Sequence, residues 1–362
     1  MPEPLPPNCF LPPSDEYAAY ASCLQLEASG ANWGDLAKEA SEVAMFKFSP
    51  QVAARVLGYA LVHSPSTKGK ACLAQEIISC KDDREFLAGL AYLYVIAMFR
   101  IFKNPKGAVL TPLSRPSSRS PFQATADSIE TLLSQPTASS SDAKNLALVR
   151  DNYRCILSGK VDTDSRVHGL TTRAAGECVD GTQLGHIFSQ SMTEHIAGLT
   201  DAAQRKLKWA VTAFAVVERF TKILVAEELN QNNIHRAENT FTISAGLHMA
   251  FQGLRVSLLP IEPDDSNLNT YKIQTYPSYL KVDYGLSDQV TLTDATGGKI
   301  PLPNRRYFQL HDACAKIFHL SGAGEVVEQV FRDIQEVKVL AEDGGSHNLL
   351  SWALLSSPQV QS

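Results

Sequence analysis

Three side chains in this chain are of types that could form a proton-transfer site. In "AENTFTISAGLHMAFQG", residues 237–253, Asn239 precedes His248 by nine positions, and upstream His186 stands in "GTQLGHIFSQ". A neutral imidazole can take a proton from water or a hydroxyl, and histidine is the side chain poised to do so near neutral pH. An asparagine amide can fix the orientation of such a ring. A second imidazole can bind a metal ion or return a proton. Gln252, four residues after His248, falls one turn on along the same helical face and offers a neutral carbonyl oxygen. His186, between Leu184 and Ile187, suits a packed core histidine equally well.

Other polar residues cluster around these positions in sequence. Glu194 and His195 follow His186, His235 and Glu238 precede Asn239, and Asp151 and Asp180 flank the two expected strands. Each taken alone suits a surface or capping role. Cys155 in "YRCILSG" has no partner at metal-ligand spacing and reads as a core cysteine. His311 and His319, eight apart on a C-terminal helix, and the arginines of "RRYF" (305–308) are more ordinary as packing or surface residues. No Gly-rich phosphate loop, serine elbow or dinucleotide fingerprint occurs.

The elements that must position these residues divide into two textures. Residues 14–103 read as helices: "DEYAAYASCLQLEA" behind a Ser14 cap, "WGDLAKEASEVAMFKF", "PQVAARVLGYALVH" with Ser49 as cap and Pro50 at its first position, "KACLAQEIISC", and the 84–103 segment. Residues 105–143 are rich in Ser and Pro and read as a linker or surface strap, with a short helix at "ADSIETLLS". Arg115 and Arg119 stand among its serines, with Ser134 further on, which also admits a phosphate-linked role. From 144 the pattern is mixed. "AKNLALVRDN" predicts a helix, "YRCILSG" and "TQLGHIFSQ" strands, 201–229 one or two amphipathic helices, and 238–253 a turn and a short helix. "LRVSLLPIE", "YKIQTYP" and "QVTLTD" predict further strands, and 305–340 helix again.

Composition bounds the function. The chain has 362 residues, 44% hydrophobic and 20% charged, which is ordinary for a globular protein. Its net charge of −5 argues against a surface devoted to nucleic acid. Seven scattered cysteines, none spaced as CxxC, argue against a zinc ribbon or a disulfide framework and fit a reducing compartment. The N-terminal "MPEPLPPNCFLPP" lacks the basic and apolar regions of a secretory signal, and the longest apolar run, "FLAGLAYLYVIAMF", is too short to cross a bilayer. The expectation is an intracellular protein, cytoplasmic or nuclear, with no membrane partner; its oligomeric state is open.

The order "RDNYRCILSG", "GHIF", "IHRAENTFTISAGLHMAFQGL", preceded by "LTPLSRPSSRS", resembles HNH endonuclease-like proteins, in particular a large fungal group of HNH-domain proteins. The resemblance covers most of the chain and is best across 146–260. It implies an α+β fold: an N-terminal helical region (1–104), the Ser/Pro-rich linker (105–143), and an HNH-like ββα-metal core with a helical insertion and extra strands (144–362). By the resemblance, His186 is the general base, Asn239 the orienting residue, and His248 a metal ligand. Two positions depart from the family pattern. Gly185 stands where members often carry Asp or His before the base, and Gln252 where many carry His or Asp. His248 with Gln252 would then bind a divalent ion, Mg²⁺ or Zn²⁺, only weakly, because hard ions prefer carboxylates. The activity implied is metal-dependent phosphodiester hydrolysis of nucleic acid. Two alternatives stay open: metal-independent acid–base chemistry on a small molecule, for example in a biosynthetic pathway, and a catalytically inactive binding protein.

Overall fold

The computed structural model describes residues 2–29, 47–102, 139–190, 213–229, 233–261 and 268–336. The expected helix over 33–48 (save its last two residues), the Ser/Pro-rich stretch up to 138 with Arg115, Arg119 and Ser134, Glu194 and His195, and residues 201–212 lie outside them. The fold is mixed α+β with a helical N-terminal part and small sheets. Among the described residues no helix is long and apolar enough to cross a membrane. The chain forms two compact units; of the described residues, the first takes 2–29, 47–102, 213–225 and 313–336, the second 139–190, 226–229, 233–261 and 268–312.

The first unit is helical. It contains α1 (Asp15–Ala28), α2 (Pro50–His63), α3 (Thr67–Ser79) and α4 (Arg84–Phe102). Serine hydroxyls open the first three: Ser14, Ser49 and Ser66 accept from the amides of Tyr17, Val52 and Gly69, meeting donors that a helix start leaves unpaired. Pro50 stands at the first turn of α2 as its missing N–H allows. Gly69 has no substitute, since a Cβ there would lie 1.7 Å from the Phe220 carbonyl oxygen on the helical residues 213–221. The same approach is tied by Glu76, which accepts from the Tyr94 hydroxyl at 2.7 Å and from Arg219 Nε at 2.5 Å.

The Pro-rich N-terminal segment lies over this unit as a strap. Prolines bring carbonyls without amides, so the strap chiefly needs donors, and tyrosines supply them. Tyr20 donates to the Pro6 carbonyl and Tyr59 to that of Pro4, both at 2.9 Å. Leu5 is buried against Gly58, and the Glu3 amide donates to the Leu320 carbonyl at 2.8 Å.

The second unit carries the site. Helix α5 (Ser140–Arg150) begins inside the stretch read as linker, where Ser139 caps it through the Asp142 amide. A two-residue parallel pair follows, β1 (Val161–Asp162) with β2 (Val179–Asp180). The strand expected at "YRCILSG" does not form. Asn152 and Tyr153 both take positive φ (53° and 57°), which breaks an extended run, and Arg154 makes only an isolated bridge to Val161. A tight turn replaces it, with the Cys155 amide on the Lys160 carbonyl and the Gly159 amide on that of Cys155.

Strand β3 (Thr182–His186) pairs antiparallel with β4 (Thr240–Ser244), in a register that sets His186 opposite Thr240 and Gly185 opposite Phe241. Sequence reading takes residues 240–244 as part of a turn; they form a fully buried strand. Helix α6 (Ala245–Gln252) follows without a linker. Alternation along β3 sends successive side chains to opposite faces. Leu184 packs with Ala143 and Ala147 of α5, while a Cβ on Gly185 would lie 2.8–3.0 Å from Phe241 and Ile243. Phe241 meets Phe251 of α6 edge-on at 5.0 Å. Strands β5 (Val256–Pro260), β6 (Thr270–Thr275) and β7 (Gln289–Thr291) form an antiparallel sheet, and α7 (Arg305–Ser321) and α8 (Ala323–Glu336) close the described chain.

Arg150 joins α5 to the segment that leads into β4. Its guanidinium is fully buried and spends all five N–H groups. Nε and Nη2 donate to the Asp151 carboxylate, Nη1 to the carbonyls of Ala237 and Pro301, and Nη2 also to that of Thr240. Asp151 in turn accepts from the Thr242 amide at 2.7 Å.

Candidate active site

His186 is the last residue of β3, and Asn239 immediately precedes β4 across the ladder. The Asn239 side chain is wholly buried, and its hydrogen bonds go to main chain rather than to the imidazole that the sequence reading has it orient. Its Oδ1 accepts from the Phe188 amide at 2.8 Å, and its Nδ2 donates to the carbonyls of Phe188 (3.1 Å) and Ile234 (2.8 Å). Its own carbonyl accepts from the Ile187 amide at 2.9 Å. The side chain thus behaves like a length of extended backbone that continues the ladder past His186. It holds two main-chain segments, one on each side, and places His186 and His235 through them.

The group that meets the His186 ring is His235. His186 Nε2 lies 3.0 Å from His235 Nδ1, with the ring centroids 5.1 Å apart and the planes inclined at 62°. His248, on α6, directs Nδ1 at the Gln183 side-chain oxygen, 2.8 Å away. Gln183 lies on the Gly185 side of β3, toward α6, as the strand period requires. A carbonyl oxygen only accepts, so Nδ1 of His248 carries the hydrogen and Nε2 presents a lone pair. That Nε2 is buried and has no hydrogen-bond partner among the described residues.

Burial makes these rings poor cations. His186 is held down to about 3, first by desolvation and then by the neighbouring imidazoles of His235 and His248. Desolvation holds His248 down to about 4 and His311 to about 3. All three are neutral at pH 7. The sign of the linkage follows: below the ordinary value of 6.5 the unfolded chain binds protons that the folded chain refuses, so stability falls as pH falls from about 6.5 toward 4, by about 1.4 kcal/mol per pH unit for each such histidine, and is unaffected above it. Urea titrations at pH 7.5 and 5.0 check this, and equal midpoints at the two values would count against buried neutral rings.

The remaining expected residues divide as follows. Gln252 lies one turn beyond His248 and is half-buried. Gly185 is required by the Phe241 ring, so no ligand side chain fits there. Asp151 belongs to the Arg150 pair, Asp180 to a surface pair with Lys160, and Glu238 to Arg236. Cys155 is buried and accepts from the Ser158 amide. His311 is a core residue, stacked on Phe251 at 3.8 Å with Nε2 at the Phe251 carbonyl. Arg305 donates to the carbonyls of Leu268 and Ile261. His235 and Gln183 are the residues whose roles the sequence did not reveal; strand alternation toward α6 was the one signal available for Gln183.

Among the described residues, no three His, Cys, Asp or Glu side chains are arranged to hold a metal ion. Within the site, the described donor that fits is the Nε2 of His248, with the Gln252 amide one turn on. Imidazole and amide suit a borderline cation such as Zn²⁺ better than Mg²⁺, which takes carboxylate oxygens.

No protein-family model, no curated protein and no solved structure matches this chain.

Proposed function

We propose that the chain is an HNH-like acid–base hydrolase of phosphodiesters, with His186 taking the proton from the attacking water. The observation that carries this reading is the buried His186 ring at the end of β3, 3.0 Å from His235, on a strand–strand–helix unit whose order is that of the resembled family. A general base must be unprotonated at working pH, and burial keeps His186 so; the same burial lowers its basicity, so the role requires that its bond to His235 strengthen as the ring takes up charge. Asn239 holds the main chain on which the base sits. His248, with Gln252, would hold a zinc-class cation, which when bound offsets negative charge on the phosphate.

The test is cleavage of single-stranded and duplex DNA and of RNA by the purified full chain, with Zn²⁺, Mn²⁺, Mg²⁺ or a chelator. Cleavage that His186→Ala abolishes is the expected result. Absence of cleavage under every condition overturns the nucleic-acid reading.

A second reading is favoured by burial. His186, His235 and His248 are only 9%, 8% and 6% exposed, which suits a small substrate better than a stiff duplex. Metal-independent acid–base chemistry on a small molecule fits that enclosure and the net charge of −5. Hydrolysis of bis(p-nitrophenyl) phosphate without cleavage of any nucleic acid would select a small diester.

A further inference from the structure

The geometry points to His235 as the positioning residue of the site: it fixes the tautomer of His186, so that His186 Nε2–H donates to His235 Nδ1 and the basic lone pair stands on His186 Nδ1. This rests on the reading of His186 as the base. Two imidazole nitrogens 3.0 Å apart must share one hydrogen. With two hydrogens between them they would repel, and with none two lone pairs would face each other. The tautomers of the two rings are therefore locked together.

Only one of the two locked arrangements leaves His186 a usable base. If His235 were the donor, His186 Nε2 would be spent accepting that hydrogen, and its Nδ1 would carry the other. If His186 is the donor, Nδ1 is bare. The balance is then simple. Nδ1 takes the proton of the attacking water as the water oxygen bonds phosphorus, the ester P–O bond breaks and the leaving oxygen takes a proton from solvent. The ring becomes an imidazolium, and its Nε2–H bond to His235 becomes charge-assisted and stronger until the ring gives its proton back to solvent. His235 supplies the stabilisation that a carboxylate supplies in other histidine-based sites, without adding a fixed negative charge.

The position of His235 is itself built. It lies between Ile234, whose carbonyl Asn239 holds, and Arg236, whose guanidinium pairs with Glu238 through two hydrogen bonds. His235 is 8% exposed. Asn239 thus reaches His186 by two routes: through Phe188, two residues beyond the base, and through Ile234 on its partner's segment.

The experiment is long-range ¹H–¹⁵N correlation of the histidine side chains in the full chain at pH 7.5, with His186 assigned from His186→Gln. The expected spectrum has His186 neutral and protonated on Nε2. His235→Phe, which keeps a ring but removes the acceptor, should convert it to an averaged mixture of tautomers. His235→Asn, whose Oδ1 falls near the lost Nδ1, should restore the fixed form. On any substrate found, His235→Phe should lower kcat by about 10–100-fold with KM unchanged, and His235→Asn should recover much of it. A His186 ring protonated on Nδ1 in the wild-type chain overturns the inference, whether or not the variants fold, as does an unchanged ring in a folded His235→Phe. The spectra need no substrate, so failure of the hydrolase reading would appear as a fixed Nε2–H tautomer in a protein without turnover.

Discussion

His186→Ala is expected to lower turnover by about 10²–10⁴-fold, the usual contribution of a general base, while circular dichroism shows the fold retained. The ring is buried, yet among the described residues its removal deprives only His235 of a hydrogen-bond partner, and the main chain around it is held by Asn239 rather than by the imidazole. The cost to stability should therefore stay near the desolvation penalty of one orphaned nitrogen, about 1–3 kcal/mol. His248→Ala should be comparably damaging to turnover, and the double variant little worse than either single one, because groups acting as one unit are not additive. Unchanged turnover in a folded His186→Ala would make the histidine a packing residue.

Arg150→Ala is expected to be the most destabilising single substitution of a charged residue in the second unit. It strands the Asp151 carboxylate, 2% exposed, and leaves the carbonyls of Ala237, Thr240 and Pro301 without their donor. Breaking a buried ion pair by removing one partner costs about 3–5 kcal/mol, and urea unfolding monitored by fluorescence or circular dichroism reads it directly. Arg150→Lys should recover little, since one ammonium cannot reach four acceptors in the plane of a guanidinium. If Arg150→Ala is too unstable to purify, the Arg150→Ala, Asp151→Ala pair should be easier to obtain, because it removes the uncompensated charge. A loss below about 1 kcal/mol in either single variant would show the pair to be solvated.

The legible and the illegible parts of this site differ in where their information lies. His186, Asn239 and His248 stand out because their side-chain types are uncommon and their chemistry is local. The helices announce themselves through Ser14, Ser49 and Pro50, which act on the next three residues of the chain. Strand β4 hides because "TFTIS" is short, begins straight after a 3₁₀ turn and is buried on both faces, so its alternation carries little contrast. Arg150 reads as one positive charge among several in 146–175; its interior position follows from carbonyls contributed near residues 237–240 and 301. Gly185 reads as a lost ligand, while its cause is a ring 56 positions later in the chain. The His186–His235 contact is likewise set by pairing across the β3–β4 ladder, which no local window contains.

The strap at the N-terminal end constrains the order in which the first unit can be completed. Its Glu3 amide is satisfied by Leu320, more than 300 residues later, and its Leu5 side chain lies against α2. Helices α1 to α4 contact one another over short separations and can assemble while the chain is still being synthesised. The Glu3–Leu320 bond cannot form until residue 320 has left the ribosome. Until then the Glu3 amide lacks its main-chain acceptor, so the strap is the part of the first unit that vectorial synthesis completes late, after the helices it lies over have been made.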